Sequence, residues 1–166
     1  MNSSTLDQLR HDARVWIFGG ATTLDERQRR TVSEGLESFV AQWTAHGSPL
    51  SAAFGFTADR FVIVGVNPGV PASGCSIDRL FRTAQQLQDR LGIPLLNSSQ
   101  VVFKDASGEV TAASREDFAA MARAGVVSEN TIVFDQTIET IGMLREGHFE
   151  KRAADSWHGS AFQLLA

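Results

Sequence analysis

Residues 61–66 read Phe-Val-Ile-Val-Gly-Val, six successive positions without a polar side chain. A strand made of them is apolar on both faces and belongs at the centre of a sheet. The flanking sequence supplies its neighbours. Leu50 to Phe56 is a second β-prone run, and Thr57-Ala58-Asp59 between the two suggests a hairpin. Upstream, Arg14-Val15-Trp16-Ile17-Phe18 is a short strand ended by Gly19-Gly20.

Helical signals follow the first and third of these runs. Thr23 and Glu26 have capping-box spacing, and Val32, Leu36, Phe39, Val40 and Trp43 form one apolar face, with Gly47 placed to end the helix. A broken stretch, Asn67-Pro68-Gly69-Val70-Pro71-Ala72-Ser73-Gly74, leads into a second helix over about Ser76 to Leu91, stopped by Gly92 and Pro94. Gln100 to Phe103 and Glu109 to Thr111 read as another hairpin across Asp105–Gly108. Ser114 and Asp117 open a short helix ending near Gly125. Thr131-Ile132-Val133-Phe134 is a last short strand, followed by a weaker helix and the tail Asp155-Ser156-Trp157-His158.

The order is β-α-β-β-α-β with C-terminal additions, an α+β fold of ferredoxin-like type. The alternative is a three-layer α/β mixed sheet. At 166 residues and 43% hydrophobic content, the chain suffices for a single α+β domain over 1–166, with a core at about 13–112 and additions at about 113–166.

Charge and composition exclude several classes. The net charge is −4 and no Lys/Arg stripe occurs, which argues against nucleic-acid binding. One cysteine leaves no internal disulfide and no cysteine-based zinc site, and it suits a reducing, cytoplasmic setting. No histidine pair has ligand spacing, so no metal is expected, and neither G-x-x-x-x-G-K-[ST] nor G-x-G-x-x-G is present, so no nucleotide cofactor is indicated. Residues 1–14 lack the apolar core of a signal peptide, and no apolar run approaches the ~20 residues of a membrane span.

In the expected topology the first and third strands are parallel neighbours, each feeding a helix. The loops 19–23 and 67–75 then lie side by side, with two helix N-termini converging on a site for a small anion. Gly19, Gly20, Thr22, Thr23, Ser73, Gly74, Ser76 and Asp78 are the binding candidates. The bland alternative is that glycine-rich strand-to-helix turns mostly bind nothing.

Cys75 falls on the first turn of the second helix, where the helix terminus favours a thiolate and Asp78 opposes it. Its bland reading is a small buried hydrophobe. A thiol nucleophile needs a base. The first helix, about 22 residues and roughly 33 Å long, puts His46 at the end away from Cys75. His11 is also at the wrong end, and His148 has no identifiable partner. His158 remains, in a tail that Trp157 would anchor.

Five segments together resemble a family of small, uncharacterised bacterial proteins: Val15-Trp16-Ile17, Trp43-Thr44-Ala45-His46-Gly47, Ser73-Gly74-Cys75-Ser76-Ile77-Asp78, Thr131-Ile132-Val133-Phe134 and Ser156-Trp157-His158. Members are often labelled "ABC transporter ATPase", yet the Walker A and LSGGQ-type sequences are missing here. The chain departs from the family pattern at Arg79-Leu80 and at Asp135-Gln136. The resemblance implies a shared fold unit centred on 73–78 and carries no activity.

Three readings follow. The first is a binding module for a ligand or a protein partner, in which an open sheet face bearing Trp16, Phe18, Phe54 and Phe56 meets a partner or a second copy as a homodimer. The second is a thiol-dependent enzyme using Cys75 and His158. The third is phosphate or nucleotide binding without a P-loop, with Thr22, Thr23, Ser73 and Ser76 as contacts.

Overall fold

A computed structural model describes residues 6–96 and 99–165 of the chain. Of the polar lead-in, residues 1–5 lie outside the described residues, whereas Leu9 is buried beneath the first sheet. The elements run β1 (Arg14–Gly19), α1 (Glu26–Gln42), β2 (Thr44–Ala45), β3 (Ser48–Pro49), β4 (Ala52–Thr57), β5 (Phe61–Val66), α2 (Gly74–Leu91), β6 (Gln100–Lys104), β7 (Val110–Ser114), α3 (Arg115–Arg123), β8 (Ile132–Phe134), α4 (Ile141–Arg145), β9 (Glu150–Arg152) and α5 (Trp157–Ala161).

The protein is α+β, with two main sheets in the orders β1-β5-β4 and β7-β6-β8-β9 and a small β2-β3 hairpin. As its sequence requires, β5 is central and buried along its whole length. Val62, Val64 and Val66 point into a core closed by Val32 and Leu36 of α1 and Leu80, Ala84 and Leu87 of α2. On the other face Phe61 meets Val102 of β6 and Phe134 of β8. The second sheet turns Val101, Phe103 and Val133 the opposite way, onto Phe118 of α3 and Leu164 of the C-terminal segment. The layers are therefore helices, sheet, sheet, helices.

The expected topology is corrected in three respects. β5 does lie between β1 and β4, but it runs antiparallel to β1. The helix between β1 and β4 makes those two strands parallel, and the turn at 57–60 reverses the chain, so the strand between them must oppose both. Next, the four-stranded ferredoxin-like sheet is not formed, because β6 joins the second sheet. The place beside β1 is held by residues 139–141: the Val15 N–H donates to the Glu139 carbonyl, and the Ile141 N–H to that of Ala13. Finally, the pairs in both sheets are antiparallel, so the sheet is not a mixed one, and the second sheet crosses the proposed core boundary near residue 112.

The first helix is also shorter than expected. Asp25 and Gln28 form its capping box, not Thr23 and Glu26, and Trp43 closes it. His46 and Gly47, with φ of 51° and 81°, make the tight turn between β2 and β3. No helix among the described residues is long and apolar enough to cross a membrane.

Candidate functional site

The two loops that were expected to converge are at opposite ends of the first sheet. Gly19 is level with Phe61, while Val66, which leads into 67–73, is level with Arg14. Six residues of strand, about 20 Å, separate them. The amides of Gly19 and Gly20 are already bonded, to the carbonyls of Leu95 and Arg60. Both glycines have positive φ, and a Cβ at Gly19 would collide with the Arg60 carbonyl, so close packing accounts for them. Thr22 and Thr23 are exposed. Arg60 secures this end, donating to the carbonyls of Gly20 and Ala21 at 3.1 and 3.2 Å and to that of Val110 at 2.9 Å. Burial holds its guanidinium below the ordinary arginine value.

At the other end, α2 begins with a reciprocal capping box. The Ser73 hydroxyl accepts from the Ser76 N–H, and the Ser76 hydroxyl from the Ser73 N–H. Among the described residues nothing accepts from the N–H groups of Gly74 and Cys75. Ser76 is fully buried, while Cys75 and Asp78 are exposed. The expectation for residues 43–47 is corrected here. The antiparallel sheet brings the end of α1 beside the start of α2, so Trp43 donates its indole N–H to the Ser76 carbonyl at 2.8 Å, and Arg79 donates to the Thr44 carbonyl.

His158 sits elsewhere. It is 1% exposed, stacked on Trp157, near Phe118 and Phe162, with Nδ1 2.7 Å from the Ser156 hydroxyl. Burial pushes it down to about 4; Asp135 opposes that, and Lys151 and Arg115 add to it. Its ring contacts are with Ser156, Trp157, Phe118 and Phe162, and Cys75 is not among them. Asp135 itself is buried and pairs with Lys151 at 3.0 Å. Burial would raise its carboxyl, but bonds from Thr137 and Lys151 outweigh that and hold it below the usual range.

The expected open sheet face is covered. Phe18 and Phe54 are buried under α1 and α2. What is open is the outer edge of β1. Backbone groups alternate in direction along a strand. Val15 and Gly19 both direct their N–H away from β5, to Glu139 and Leu95. Ile17, between them, directs its N–H and C=O the same way, and among the described residues nothing bonds to either.

These two groups face a groove of about 590 Å³ lined by Arg14–Ile17, Phe81 of α2 and residues of the stretch 136–140. The groove exists because that stretch peels off β1 past Glu139. Asp135 accepts from the Thr137 N–H at 3.0 Å and from its hydroxyl, forming a side-chain turn that Lys151 anchors. Sequence reasoning missed Arg14, Gln136, Ile138 and Glu139. The usable signal was Asp135-Gln136-Thr137, an Asx-type turn directly after a strand.

Among the described residues no group of three or more His, Cys, Asp or Glu side chains could hold a metal ion. Comparisons with protein-family models, curated proteins and solved structures each return no match for the chain.

Proposed function

We propose that the protein is a binding module that takes an extended peptide segment at the open edge of β1. The observation that carries this reading is that the N–H and C=O of Ile17 have no partner among the described residues and face a groove with aromatic and amide walls. An exposed strand edge is a ready template for main-chain pairing, and side pockets add selectivity. Val15, Trp16 and Ile17 line this groove together.

The test is to pan a random heptapeptide phage library against the protein and measure the selected peptides on wild type and on Ile17→Pro. Proline at an outward-facing edge position removes one donor and spares the ladder to β5. Selected peptides should lose affinity for the variant and slow hydrogen exchange at the Ile17 amide of the wild type. Peptides that bind both proteins equally and leave that amide unprotected would refute the reading.

A thiol-dependent reading retains one supporting observation, the exposure of Cys75 on the first turn of an 18-residue helix. The histidine suggested as its base packs in a different cluster.

A further inference from the structure

We infer that the segment taken up in this groove is acidic, with the pattern apolar–apolar–Asp/Glu, docked antiparallel to β1. The inference rests on the peptide-binding reading above and adds the chemistry of the occupant.

The length follows from the edge itself. The amide of Val15 is taken by Glu139 and that of Gly19 by Leu95. Three residues of an incoming strand fit between, opposite Phe18, Ile17 and Trp16. Every neighbouring pair in both main sheets is antiparallel, which sets the direction adopted here. The central residue X would exchange two main-chain bonds with Ile17. Its side chain would fall on the face where Ile17 packs with the buried Ile138, so it is apolar. The residue before X, opposite Phe18, would fall on the helix face. There Phe81 is 42% exposed and meets Phe18 edge to face at 5.4 Å, so this residue is apolar too.

The residue after X, opposite Trp16, meets a cation. The Arg14 guanidinium lies 4.7 Å from the centre of the Trp16 ring. Residues 14 and 16 share a face, so the charge is held above the position where that side chain would stand. Among the described residues Arg14 has no ion pair. Glu139 also lines the groove, but it is opposite Val15 and so on the other face, consistent with its failure to pair with Arg14. A carboxylate on the helix face is therefore complementary to Arg14, and it is clear of Glu139.

The probes are two blocked peptides, acetyl-Ser-Leu-Val-Glu-Ser-amide and its Gln counterpart, titrated by NMR against wild type, Arg14→Gln and Ile17→Pro. The Glu peptide should bind wild type roughly threefold to tenfold more tightly than the Gln peptide, with the gap narrowing at high salt. Arg14→Gln should erase the gap, weakening the Glu peptide more than the Gln peptide. Ile17→Pro should abolish both. Equal binding of the two peptides by wild type, lost in Ile17→Pro, overturns the acidic motif and leaves peptide binding standing. If neither peptide binds and the Ile17 amide exchanges at its free rate, both readings fall. A free protein that sediments as a dimer, and as a monomer in Ile17→Pro, would assign the groove to a second copy and overturn the inference.

Discussion

The indole N–H of Trp43 donates to the carbonyl of Ser76 at 2.8 Å, and both residues are buried. A side chain just past the end of one helix thereby fixes the first turn of the next, with Trp16 edge-on and Phe39 tilted against its ring. Trp43→Phe keeps much of the ring and removes the donor. It removes the second of the carbonyl's two bonds, the intrahelical one remaining, and with the ring volume lost from a buried site it costs about 1–3 kcal/mol. Urea unfolding should show that loss, and amides of the first turn of α2 should exchange faster. A change below about 0.5 kcal/mol would mean that the bond does not fix this end.

Among the described residues the partners of Arg60 are three carbonyls, and it joins the loop after β1 to β7 in the other sheet. Arg60→Met keeps the aliphatic stem but strips three acceptors of their donor. The expected loss is about 2 kcal/mol, the size typical of a broken part-buried network. Arg60→Lys should recover only a fraction, because one ammonium cannot span the fork that guanidinium fills. Equal stability of Lys and Arg proteins in thermal unfolding would refute that bridging role.

The sequence was informative wherever one residue determines its own surroundings. FVIVGV announced a buried central strand and Ser114 a helix start, whereas Ser73 was read as loop and proves to be the cap of α2. The hairpins at 57–60 and 105–108 were also legible, since their turn residues are local signals. The arrangement of the elements was not. Nothing local to β6 says that it will leave the first sheet, because that depends on residues 139–141 claiming the edge of β1 from more than 120 positions away. The groove was hidden for the same reason: the openness of Ile17 is a property of what fails to pair with it. Of the site candidates, Ser73 and Ser76 are caps, and Gly19 and Gly20 allow close approach.

His158 gives a pH signature. Its ordinary value of 6.5 falls to about 4 in the fold because burial disfavours the charged ring. Between those values the unfolded chain holds the proton and the folded protein does not. Stability is therefore complete above about pH 6.5 and declines as the pH falls towards 4, by at most about 1.4 kcal/mol per pH unit. Asp135, held low in the fold, contributes in the same direction at more acidic pH. His158→Phe separates the two. The variant should be less stable at pH 7, having lost the Ser156 bond, and should show a flatter slope from pH 6.5 to 4. Parallel slopes in the two proteins would assign the acid sensitivity elsewhere.

Cys75 discriminates between the binding and thiol readings most directly. It is exposed, so iodoacetamide should modify it in the folded protein without any unfolding step. Its side chain fills no core position, so Cys75→Ser should change stability by less than about 0.5 kcal/mol. The decisive comparison is the alkylation rate in His158→Phe. His158 is buried against Trp157 and Phe118 and bonded to Ser156, so removing it should leave the rate against pH unchanged across pH 6 to 9. A profile displaced in that variant would couple the two side chains and revive a thiol–imidazole pair. An unchanged profile would leave Cys75 as an exposed residue on a capped helix start and direct attention to the edge of β1.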